Sequence, residues 1–337
     1  MLGREPVPGA PGPEAGAPPA PRRPGVPHWT RVFWLGLLLW VLAVALLVGT
    51  QAVTLVPTVI LLGSFLVPVT AVVFYFERTP GPALSAFTVA SAFLLGGLLG
   101  VYGAVLLEAL FVQPGVLQYL GVGLIEELAK LVALAIVARH LSRYTTRDGI
   151  VLGAAVGFGF AALESSGYAF AAALSGDGLS VSDLVQTEVL RGLLAPVGHG
   201  LWTAIVGGAL FHAASAKGHL RLTGGVVLAY LLASLLHGLW DSMGDLAVYL
   251  AFELTASPAQ RLAVATGRGG RVRPTQVQTL FYLALYWGGL LLVSAVGLVW
   301  LRRAWRRGAA EEEPPAPPAA PAAPAAGPLA PGGGVSR

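Results

Sequence analysis

Four stretches of this sequence carry acids, imidazoles and an amine at helical spacing. The first, GVGLIEELAKLVALAIV, holds Glu126, Glu127 and Lys130. At separations of four and three residues from Lys130, both acids share its helix face. Two adjacent carboxylates in a low dielectric do not both ionise unaided. Lys130 can hold one as an anion and leave the other to act as a base. In the second stretch, GFGFAALESSGYAF, Phe160, Glu164 and Tyr168 recur every four residues and line one face. The third, APVGHGLWTAIVG, offers His199 with Thr203 one turn on, and the fourth, SLLHGLWDSMGD, pairs His237 with Asp241 at i,i+4. The last spacing suits two ligands for one metal ion, or a histidine oriented by a carboxylate. Each feature also has a plainer explanation as an ion pair or hydrogen bond that locks two helices together.

The elements that must position these residues are membrane helices. Hydrophobic residues make up 55% of the 337-residue chain and charged residues 11%, against roughly 25% charged in an ordinary soluble domain. Too few charges remain for a water-facing surface, whereas a lipid-facing one needs none. The net charge of +4 is small and its basic residues form no stripe, which argues against nucleic-acid binding. Apolar stretches long enough to cross a bilayer fall at about 32–52, 55–76, 85–112, 116–139, 149–175, 192–214, 222–243 and 279–301. The expected fold is therefore all-α, a polytopic bundle of about eight transmembrane helices over 28–307. The Pro/Gly/Ala-rich tails 1–27 and 308–337 read as disordered. Pro57 and Pro68 predict a kink in the second helix. Gly96, Gly97 and Gly100 would allow close helix approach. The first helix reads as uncleaved, being too far from the start for an ordinary signal peptide.

Basic residues set the expected orientation. Arg22, Arg23 and Arg31, then Arg78, then Arg139, Arg143 and Arg147, then Lys217 and Arg221, then Arg302, Arg303, Arg306 and Arg307 all fall on one side of an eight-span chain. Both termini are thus expected in the cytoplasm. The long seventh connection, with Arg261, Arg268, Arg271 and Arg273, weakens that count without reversing it. Residues 180–191 predict a short amphipathic helix on the outer surface. Asp245 is expected near the exit of the seventh helix, in water. At 1.5 Å per residue, the polar residues of helices four to seven share one layer in the outer half of the membrane, roughly 10–15 Å below its surface. An ionisable residue at such depth costs about 2.5–3.5 kcal/mol or more and reads as functional by default.

The ordered set Glu126-Glu127-x-x-Lys130, Phe160-x-x-x-Glu164-x-x-x-Tyr168, His199 and His237-x-x-x-Asp241, one element per helix within 116–245, resembles the PrsW family of intramembrane proteases. That family is distantly related to the CAAX prenyl endopeptidases. The resemblance implies an endopeptidase in a bacterial plasma membrane that cleaves a membrane-anchored, anti-sigma-factor-like protein near its extracytoplasmic side. No cysteine exists and no serine-nucleophile pattern surrounds Ser165 and Ser166, so the expected nucleophile is water. In one version Glu126 or Glu127 is the base, assisted by Glu164, with His237 and Asp241 orienting the carbonyl or stabilising the oxyanion, as the resemblance to the distant relatives implies. In the other, Glu164, His199, His237 and Asp241 hold a divalent ion, for which zinc suits the donors. Lys130, Phe160, Tyr168 and Thr203 are read as supporting residues. A proton-coupled transporter would also bury acids and histidines, but it would usually show repeats in both halves. A catalytically inactive scaffold is the remaining alternative.

Overall fold

The computed structural model describes residues 27–78, 84–115, 117–174 and 178–312. The two Pro-rich tails lie almost wholly outside that range. All regular structure among the described residues is helical. Helices α1 (His28–Thr50) and α2 (Val56–Arg78) form the expected antiparallel pair. Pro68 lies inside α2 without ending it. The third expected span is built from α3 (Ala86–Ser91), a wider π turn at Ala92–Gly96, and α4 (Gly97–Phe111). Next come α5 (Gln118–Ala138), α6 (Thr146–Ala173), α7 (Val181–Leu194), α8 (His199–Ser215), α9 (Gly224–Thr255), the short α10 (Pro258–Ala265) and α11 (Gln276–Glu312).

Seven of the resulting segments are long and apolar enough to cross a membrane. The remaining expected span, the fourth at 116–139, corresponds to α5, 21 residues long. It carries three charged residues, Glu126, Glu127 and Lys130, whose partners lie in the bundle interior. Large apolar side chains such as Trp34, Leu38, Tyr102, Leu106, Leu291 and Leu292 point outward, as a lipid-facing surface requires.

At the centre lies α6, where every residue from Asp148 to Ala162 is buried. Its neighbour α8 packs along a seam of glycines. A Cβ on Gly149, Gly153 or Gly157 would stand 2.3–2.4 Å from the backbone oxygens of Gly207, Thr203 and His199, respectively. Only small residues at i, i+4 and i+8 let the two backbones approach this closely. On the other side, Gly97 meets the Gly159 backbone and Gly100 meets the Phe160 ring, so the glycines expected to mediate close packing press α4 onto α6.

Several boundaries differ from expectation. The expected sixth helix begins at His199 rather than 192, because Pro196 and Gly198 divide it from α7 through a 3-10 turn at Ala195–Val197. The amphipathic helix expected at 180–191 is α7, and it inserts Leu184 and Glu188 into the bundle. Gly244 is tolerated inside the helix and no proline follows until Pro258, so α9 runs on to Thr255. Asp245 is therefore exposed within the helix, not at its exit, and accepts a 2.8 Å hydrogen bond from Tyr119. Similarly, α11 continues through its arginines to Glu312.

The two described chain ends share one end of the bundle. Thr146 and His212 both engage Glu311, at 2.6 and 2.8 Å. Val56 and Ile60, near the start of α2, cluster with Ala169 and Ala173, at the end of α6. The opposite end of α2, where Glu77 binds His28 at 2.6 Å, is thus level with Thr146.

Candidate active site

Four helices converge on one buried cluster. Lys130 and Glu127 are fully buried, as is His237, and Glu126 is 6% exposed. Lys130 Nζ donates to Glu126 Oε2 at 2.9 Å and to Glu127 Oε1 at 3.1 Å. It also stands 3.0 Å from His199 Nδ1 and 3.7 Å above the centre of the Phe160 ring. This is the i,i+3/i,i+4 pairing expected along α5, closed from above by α4: Gly100 leaves room for the Lys130 chain at 3.5 Å from a Cβ placed there.

The two glutamates differ in position. Glu127 is enclosed: Thr203 Oγ1 donates to its Oε2 at 3.2 Å, and His237 Nδ1 lies 3.1 Å from its Oε1. Glu126 lines a cavity of about 430 Å³ shared with Phe160, Glu164, Tyr168, His199 and Asp241. Its Oε2 lies 3.7 Å from His199 Nδ1 and 3.6 Å from His237 Nε2. The His199 and His237 rings meet edge to face at 4.9 Å.

The donor set fits a divalent metal ion. Glu126, His199 and His237 each offer one ligand atom, all within 4.8 Å of one another. Two histidines and one carboxylate form a common zinc set. His237 Nε2 is buried without a hydrogen-bond partner, although Asp241 Oδ2 lies 3.2 Å away. The far nitrogen of each imidazole faces a carboxylate, His237 Nδ1 towards Glu127 and His199 Nε2 towards Glu164 at 2.8 Å. Metal-ligating histidines characteristically have such outer partners.

The expected residues come together, but the carboxylate among the histidines is Glu126. Glu164, expected as a ligand, orients His199 from behind. It is also bound by Arg191 at 2.7 Å, whose Nε donates to Ser165 at 2.8 Å and whose guanidinium stacks 4.3 Å from the Tyr168 ring. Asp241 stands on the cavity wall beside His237. Thr203 supports Glu127 rather than His199. Sequence reasoning assigned no role to Arg191 or to Glu108 of α4, both of which line the cavity. The signal for Glu108 was present: it is the sole charged residue of a membrane-length apolar segment. Arg191 offered none, since an arginine in an amphipathic surface helix looks ordinary.

The model of a family described as PrsW family intramembrane metalloprotease matches residues 84–264, a stretch that includes every helix contributing to the cluster. The chain is 29% identical over 176 residues to a protein named Protease PrsW from Halalkalibacterium halodurans, which covers 50% of this chain and 75% of that protein. No solved structure matches it significantly.

Proposed function

Because this chain belongs to the PrsW family of intramembrane metalloproteases, we propose that it hydrolyses a peptide bond of a membrane-anchored, anti-sigma-factor-like protein, using water activated at the Glu126–His199–His237 cluster. The multi-pass fold and the peptidase class follow from the family. The convergence of one cavity-facing carboxylate with two imidazoles, one bearing an orphaned buried nitrogen, carries the reading further.

Glu126, His199 and His237 would hold the ion, with zinc as the best match to these donors. When bound, such an ion polarises a carbonyl and lowers the pKa of water. Glu127 fixes the ring of His237 through Nδ1 and anchors Lys130, whose ammonium offsets the paired carboxylates. Glu164 faces the cavity and takes the proton of the attacking water as its oxygen bonds to the scissile carbonyl carbon. It then returns a proton to the amine nitrogen as the C–N bond breaks. On the same wall, Arg191 stabilises the developing oxyanion, and Asp241 orients the peptide by accepting from a backbone N–H. A second reading, with Glu126 as the base and no ion, draws support from Lys130 Nζ, which already stands 2.9 Å from Glu126 and 3.0 Å from His199, two of the three candidate donors.

The cluster lies about 10 Å along α5 from Tyr119 and about 12 Å along α9 from Asp245, two residues that bond to each other. This common depth, together with the basic residues at the other end, supports a site in the extracytoplasmic half of a bacterial plasma membrane with both termini cytoplasmic.

Cleavage of a co-expressed, tagged, membrane-anchored substrate tests the reading. Wild type should release the fragment, and Glu164→Gln and His237→Ala should abolish release while remaining folded in detergent. Retained cleavage in both would refute the site. Elemental analysis of purified protein should find about one divalent ion per chain, lost in His237→Ala; a metal-free, fully active wild type would select the second reading.

A further inference from the structure

Glu108 is the one cavity carboxylate that the proposed chemistry leaves unused. It belongs to α4, whose cavity-facing stripe is otherwise apolar: Val101, Ala104 and Val105. No hydrogen bond or ion pair joins it to any described side chain, and its Oε1 is buried without a partner. Contacts along the α4–α5 pair locate it. A Cβ on Gly100 would approach Lys130 at 3.5 Å, one on Gly103 would approach Ala129 at 3.4 Å, and one on Gly121 would approach Val112 at 3.7 Å. Between those levels Glu108 lies within about one turn of the level of Glu126, on the wall of the same cavity. A carboxylate on a membrane helix is costly unless something pairs with it, and Glu108 has no described side-chain partner, so its counterpart is to be sought in what enters the cavity. Glu126, Glu164 and Asp241 each stand beside a basic group, Lys130, Arg191 and His237 respectively, which leaves Glu108 as the cavity carboxylate without one.

Resting on the protease reading above, we propose that Glu108 is a specificity-determining residue that receives a lysine or arginine side chain flanking the scissile bond of the substrate. A desolvated carboxylate pairs with a cation and disfavours an anion at the same place.

The full chain, reconstituted in liposomes, would be given membrane-anchored peptides identical except for Lys, Leu or Glu at each position flanking the cleaved bond. For wild type, kcat/KM should favour the Lys peptide over the Leu peptide at one flanking position by about tenfold, the size of one well-placed interaction of about 1.4 kcal/mol. Glu108→Gln should bring that ratio to within about twofold of unity, and Glu108→Lys should invert the preference towards Glu. Because ratios within one enzyme are compared, partial loss of folded protein does not affect the reading; if Glu108→Lys fails to fold, Glu108→Gln decides. Cleavage by wild type with a Lys/Leu ratio unaltered in the variants overturns the proposal while leaving the protease reading intact. If wild type cleaves none of the peptides, like a Glu164→Gln control, the protease reading fails and the proposal falls with it.

Discussion

Neighbouring glutamates at 126 and 127 occupy different physical situations, and that difference governs what each can do. Glu127 has no exposure, and Lys130, Thr203 and His237 surround its oxygens. Glu126 shares Lys130 but opens on the cavity. Glu127→Gln is therefore expected to act through position, leaving bound metal near wild-type stoichiometry while lowering turnover. Glu126→Gln should lose the ion as well, which elemental analysis and cleavage assays on the same samples would separate. Equal metal loss in both would contradict this division. Lys130 is the sole described cation bonded to the pair. Removing one partner of a buried ion pair costs about 3–5 kcal/mol, so Lys130→Met should lower unfolding resistance in detergent by about that much. Adding Glu126→Gln to Lys130→Met should restore part of it, whereas an additive double mutant would show that the charges are not coupled. Lys130→Arg should not substitute, because Phe160 and the Gly100 seam leave no space for a larger planar group.

At the scale of elements, the site depends on how closely α6 and α8 approach. Gly157 faces the His199 carbonyl at 2.4 Å from a would-be Cβ, with backbone on both sides and no flexible side chain to yield. Gly157→Ala should push the start of α8 away and move His199 from Glu164 and Glu126. The expected result is an activity loss of at least about tenfold and a destabilisation of about 1–3 kcal/mol. Gly167→Ala on the same helix meets nothing within 4 Å and should be neutral in both assays; equal effects of the two would remove the seam from the explanation. The α7 helix depends on a second buried acid. Glu188 accepts from Trp40 Nε1 at 2.8 Å and nests over Gly63, one turn before Arg191 reaches Glu164. Trp40→Phe would strip that bond and should loosen α7, detectable as faster amide exchange across 181–194 with little change in α9.

For the molecule as a whole, the described ends, at His28 and Glu311, lie towards the end of the bundle opposite Tyr119 and Asp245. The chain has no cysteine, so single cysteines can report topology without background. With both termini in the cytoplasm, a cysteine at Ser257 should react with an impermeant maleimide added outside intact cells. Cysteines at Arg143 or His219 should react only after permeabilisation. The reverse pattern would turn the bundle over and place the cavity in the cytoplasmic half.

What the sequence alone determined was substantial where local rules suffice. A run of apolar residues long enough to span lipid forms a helix, because its backbone has no other partner there. An ionisable residue inside such a run carries a penalty that singles it out, and this is why Glu126, Glu127, Lys130, Glu164, His199, His237 and Asp241, which the structure gathers at one cluster and its cavity, are legible in the sequence. The tertiary structure decided the azimuths and distances. Periodicity says which residues share a face but not which face meets which helix, so it could not tell that Glu126 joins the histidines while Glu164 stands behind His199. That choice follows from the glycine seams of α6, which fix how near α8 and α4 come, and from Pro196 and Gly198, which end α7 and start α8 at His199. Arg191 and Glu108 acquire their places only through that packing, since a side chain's partner in a membrane bundle is set by the neighbouring helix and not by its own.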